Sequence, residues 1–118
     1  MVTIEKVAQY ALFSDDINLT LLVEDFLLSN PILANVQKPD TDNQRVLAVA
    51  AGLLELFALR SHQEPPSWTS EIGPIDKPFF IRSSAVTSKY LRDLCLKESP
   101  EPLRKRNIYA TSNFLLWV

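Results

Sequence analysis

QRVLAVAAGLLELFALR, residues 44–60, decides the fold. Val46, Leu47, Val49, Ala50, Leu53, Leu54, Phe57 and Ala58 recur at three- and four-residue intervals and cover most of a helical circumference. A helix that is apolar on nearly every side has to be surrounded, so this one is expected at the centre of the core. Ala48, Ala50, Ala51 and Gly52 are small and let neighbouring helices come close. Thr41 followed by Gln44 has capping-box spacing, and Asp42 adds first-turn charge. Arg60 and His62 fall at the far end, where positive charge meets the carbonyl pole.

Working toward the N-terminus, Leu19, Leu22, Val23, Phe26 and Leu27 give a second helix one apolar face. Ser14 starts it, with Asp15 and Asp16 in its first turn, and Asn30-Pro31 ends it because the residue before proline avoids the α region. Before it, Thr3 caps a short helix running through Tyr10 to Phe13. Residues 31–40 form a connection with little pattern. Toward the C-terminus, residues 62–82 are too apolar for a flexible linker, with Trp68, Ile72, Ile75, Phe79, Phe80 and Ile81 among them. Ser83 or Ser84 caps a helix to about Lys97, with Val86, Tyr90, Leu91, Leu94 and Cys95 on its inner face. Ser99-Pro100 restarts a short helix ending near Arg106, serine capping and proline at the first helical position. Residues 107–111 alternate as a short extended segment before the apolar tail Phe114 to Val118. The expectation is an all-α chain, one domain over residues 1–118, built as a bundle of four to five helices with a C-terminal arm.

Bulk composition agrees. At 47% apolar and 22% charged residues, 118 residues support one ordinary globular core. Two glycines argue against a hairpin-rich β fold. The longest apolar run, Val46 to Leu54, is about half a membrane span, and the first residues lack the basic start and apolar core of a signal peptide. A cytoplasmic chain without membrane association is expected. Residues 1–44 hold two lysines against seven carboxylates, a net of −5, so the remainder carries +3 within a total of −2. Such polarity suits an oriented encounter with a charged partner, or simply two solvated faces.

Reaction chemistry has little to build on. One His and one Cys cannot supply a metal site, and no loop has calcium-binding spacing. Cys95 falls on an apolar helix face, where thiols are inert packing, and His62 reads as a helix-end residue. Gly52 lies inside a helix and Gly73 beside a proline, so no phosphate-cradling loop exists. No catalytic residue and no cofactor is assigned. The rest are recognition features. Pro65-Pro66-Ser67-Trp68 and Pro78-Phe79-Phe80 combine stiff turns with aromatics that serve as core plugs or as interface anchors. Arg104, Lys105 and Arg106 read as a solvated helix end, as steering charge, or as a small nucleic-acid contact.

The order of these motifs resembles a family of small bacterial helical proteins described as antitoxin-like. The match runs over residues 44–115, through Pro65-Pro66-Ser67-Trp68-Thr69, the segment 76–80, Leu91-Arg92-Asp93-Leu94 and the run Glu98 to Tyr109. Its sharpest part is Glu98-Ser99-Pro100 leading to Arg104-Lys105-Arg106-Asn107. The resemblance implies a non-enzymatic component of a toxin–antitoxin-type pair whose partner is nucleotidyltransferase-like. It carries no residue role. The expected contact residues, taken from the chemistry above, are Trp68, Phe79, Phe80, Arg104, Lys105 and Arg106. A nucleic-acid binder using residues 104–106 and a small enzyme with a cleft invisible in sequence are the alternatives. Homodimerisation through the Val46–Phe57 helix or the tail Phe114–Val118 is a further expectation.

Overall fold

A computed structural model describes residues 2–12, 16–81 and 89–110. Helix α1, Ile4–Leu12, buries Ile4, Val7, Ala8 and Ala11 along one stripe, and the Thr3 hydroxyl caps it by accepting the Lys6 N–H at 3.2 Å. Helix α2, Asp16–Ser29, buries Leu19, Val23 and Phe26. It stops ahead of proline, where the Asn30 amide donates to the Phe26 carbonyl at 2.9 Å. The Ser14 cap and the Phe13 end of the first helix lie outside the described residues.

Helix α3, Gln44–Arg60, is the central element, with its twelve buried residues running from Val46 to Ala58. Its cap is Asn43, one residue before the helix, and not Thr41. The Asn43 Oδ1 accepts from both Arg45 N (3.0 Å) and Val46 N (3.2 Å), while the Thr41 hydroxyl accepts from Asn43 N and shapes the approach. Gly52 has a packing reason: a Cβ there would stand 2.7 Å from Leu103 Cδ2 and 3.3 Å from the Pro102 carbonyl. The face that the small residues leave open is where the C-terminal arm lies.

From the end of α3 to Ile81 the chain packs on the core through Trp68, Ile72, Ile75 and Phe79, in line with its apolar content. A 3-10 turn over Ser67–Glu71 leads to strand β1, Phe79–Phe80, which pairs in parallel with β2, Ile108–Tyr109. Helix α4, Lys89–Glu98, buries Cys95. Tyr90, expected on its inner face, is instead 74% exposed, because five residues from Cys95 is about 140° around the helix. Val86 and the Ser83 and Ser84 caps lie outside the described residues, as does the tail from 111.

Helix α5, Glu101–Arg104, begins one residue later than its sequence suggests, with Pro100 at the cap position. Ser99 does not cap it. Its buried hydroxyl donates to the Ile108 carbonyl and accepts from Ala110 N, both at 3.2 Å, fastening the outer edge of β2. One buried cluster gathers residues from Ile4 to Ala110 around α3, an all-α architecture with a single two-residue parallel bridge among the described residues. The α3 residues offered for homodimerisation are therefore consumed by the chain's own core. Among the described residues no helix is long and apolar enough to cross a membrane.

Candidate protein-interaction surface

Arg106 sits at the centre of the C-terminal arm and is only 2% exposed. Its guanidinium has five N–H donors, and all five are used. Nη1 donates to Glu55 Oε1 (2.7 Å) and the Pro102 carbonyl (2.9 Å). Nη2 donates to Glu55 Oε2 (3.0 Å) and the Thr69 carbonyl (2.7 Å), and Nε reaches the Ile72 carbonyl at 3.2 Å. One side chain thus ties the 3-10 turn and the end of α5 to the middle of α3. Expected as partner-binding, Arg106 is an internal fastener: a planar fork matches a carboxylate and three carbonyls better than water does.

Glu55 is the anion that draws it in. Burial raises the Glu55 carboxyl, but hydrogen bonds from Arg106 and Lys105, the Arg106 charge and Thr69 outweigh it and hold the group at about 2. Lys105 Nζ reaches Glu55 Oε1 at 2.8 Å from a half-open position. Of the three basic residues, Arg104 is thus the one that is exposed with no ion pair among the described residues.

Trp68 is likewise committed to the chain. It is half-buried against the core, and its indole N–H donates to the Val36 carbonyl at 2.9 Å, joining the 3-10 turn to the segment after α2. Phe79 packs on the core too, with the Arg45 guanidinium 5.4 Å above its ring. Phe80 and Tyr109 are neighbours across the bridge, ring centroids 5.5 Å apart, and both are half-buried. The Tyr109 hydroxyl donates to Asn107 Oδ1 (3.0 Å), whose amide donates to the Ile75 carbonyl (3.1 Å). Asn107 takes φ 66°, a left-handed turn that asparagine tolerates.

The six expected contact residues therefore divide. Trp68 and Arg106 hold the segments from inside, Phe79 straddles core and surface, and Lys105 is held by Glu55. Phe80 is half-buried but does not pack on the core cluster, and Arg104 is exposed. Tyr109, outside the six and read from sequence only as a stacking residue beside the basic segment, pairs with Phe80, whose ring lies 29 residues away in sequence and which only the bridge brings to it. Glu55 was missed, although a lone carboxylate within the apolar run of α3 is itself a signal for an internal cation.

The motif stretch Glu98 to Tyr109 acquires a physical meaning here: Ser99 fastens β2, Pro102 supplies a carbonyl to Arg106, and Asn107 makes the turn. Among the described residues no three His, Cys, Asp or Glu side chains gather as metal ligands. Compared with family models, curated proteins and solved structures, the chain has no match in any of the three.

Proposed function

We propose that this chain is a non-enzymatic protein-interaction module and, following the resemblance of residues 44–115, the antitoxin-like member of a two-protein pair whose partner is nucleotidyltransferase-like. The observation that carries the reading is the pinned bridge. Phe80 and Tyr109 stand half-buried, each with part of its ring at the surface, on two strands whose neighbours are fastened by Arg106, Asn107 and Ser99. Aromatic area on a preorganised support loses little entropy on binding, which is how interface hot spots work. Arg104 ends α5, Lys105 follows it, and the two supply steering charge toward an acidic surface. With Arg106 internal and Lys105 paired, the basic segment has too few open cations for a strong phosphate contact, so the protein partner is the better reading.

The test is reconstitution. Tagged chain is used to isolate a binding protein at low and high salt, that protein is purified, and its Kd is measured against wild type and against Phe80→Ala combined with Arg104→Glu. The reading expects a stoichiometric complex that survives high salt, weakened roughly 30-fold or more by the double substitution with little change in melting temperature. Recovery of nucleic acid alone, released by salt, would replace it with the nucleic-acid reading.

A further inference from the structure

Helix α2 carries leucine on two sides. Leu19, Val23 and Phe26 are buried in the core, while Leu21 and Leu28 are 59% and 82% exposed. Seven residues separate those two leucines, which places them one above the other along the helix. Glu24 and Asp25 stand exposed on either side of that line. Neither carboxylate has an ion pair among the described residues. The outer side of α2 is thus an apolar stripe roughly 10 Å long, edged with acid.

Helix α4 offers the complement. Among its described side chains Cys95 alone is buried, while Tyr90 is 74% and Leu96 44% exposed. Lys89 and Leu96 are again seven residues apart, and Lys97 falls on the same outward arc, which Tyr90 closes at its far side. Both lysines are exposed with no ion pair among the described residues. Asp93 shares the arc and Arg92 already has an interaction within the chain, so Arg92 is not counted. Two lysines against Asp93 leave this stripe at +1, where Glu24 and Asp25 give −2.

The stripes suit each other and not themselves. Facing α2 of a second copy, α2 would press Glu24 and Asp25 onto carboxylates, and α4 facing α4 would set lysine on lysine. Crossed, the aliphatic stems of Lys89 and Lys97 can lie over Leu21 and Leu28 while their ammonium groups reach Glu24 and Asp25. The uneven charge of the chain, −5 over residues 1–44 and +3 beyond, favours the same encounter.

We propose that the α2 stripe of one copy binds the α4 stripe of a second copy. One helix pair is smaller than a stable interface, whereas copies related by a two-fold axis make the contact twice and stop at a dimer.

The test is sedimentation velocity of the full chain over a concentration series at low and high salt. Wild type is expected to self-associate at low salt and roughly tenfold or more weakly at high salt, because exposed charge pairs are screened. Glu24→Lys with Asp25→Lys, and separately Lys89→Glu with Lys97→Glu, should each bring like charges together and leave a monomer. Mixed in equal amounts, the two variants are complementary again and should form a mixed complex. All four positions are exposed, so melting temperatures close to that of wild type are expected. A wild type that stays monomeric overturns the proposal and leaves the stripes to another protein or to residues 111–118. So does association that salt leaves unchanged, a result independent of any variant. A mixture of folded variants that stays apart overturns it too, and none of these outcomes bears on Phe80 and Tyr109.

Discussion

Arg106 and Glu55 show how much of this structure depends on one pair of side chains. Removing the guanidinium with Arg106→Ala strips the Glu55 carboxylate of its fork, leaving Lys105 on one oxygen, and takes the donor from the carbonyls of Thr69, Ile72 and Pro102. The expected loss is about 3–5 kcal/mol, measured by urea unfolding. Arg106→Lys should recover less than half of it, because an ammonium has three donors and cannot span the same fork. Acid acts on the other partner. The folded carboxyl is held at about 2 against an ordinary 4.5, so its contribution is complete above roughly pH 4.5 and disappears as pH falls toward 2. That contribution is about 2 kcal/mol after allowing for screening on the half-open Lys105 side. Stability measured from pH 6 to pH 2 should show this acid limb in wild type and a flatter one in Glu55→Gln.

At the scale of elements, the end of α3 carries a second test. His62 takes φ 58°, its N–H bonds back to Leu59 and that of Gln63 to Ala58, a left-handed helix end for which glycine is the usual residue. His62→Gly is expected to raise stability by about 0.5–1 kcal/mol, read as a higher melting temperature. A drop instead would mean that the imidazole makes contacts worth more than the backbone strain. The helices themselves were legible because their signals are local: the apolar stripe of α2, the Thr3 cap, the stop at Asn30-Pro31 and the apolar run of α3. Caps failed where two polar residues competed, as Thr41 did with Asn43, since only the fitted backbone shows which oxygen faces the open N–H groups. Ser99 is the same case, its hydroxyl drawn to a strand rather than to the next helix.

For the whole molecule, α3 is enclosed by α1, the 3-10 turn and α5, while the outward stripes of α2 and α4 and the β1–β2 face lie outside that enclosure. Amide exchange should therefore be slowest from Val49 to Leu54 and fastest around residues 31–40, with α4 and the bridge between them. Uniform protection would show that the chain opens only as a unit. The candidate surface was partly legible: the sequence names its aromatic and basic residues by type, but inside and outside could not be separated. That division depends on contacts 32 to 51 residues apart, Trp68 with Val36 and Arg106 with Glu55, which no local spacing encodes.

The distance along the chain from Glu55 to Arg106 also has a consequence for synthesis. Residues emerge in order, so the central helix leaves the ribosome well before the segment that covers Gly52 and answers the Glu55 charge. Until residue 110 follows, one side of α3 has no neighbour and its carboxylate has only water. A nascent chain halted at Glu98 would carry the first four helices with that side bare, a target for chaperones and proteases. Completion of the fold, and with it the pairing of Phe80 with Tyr109, waits on translation of residues 99–110.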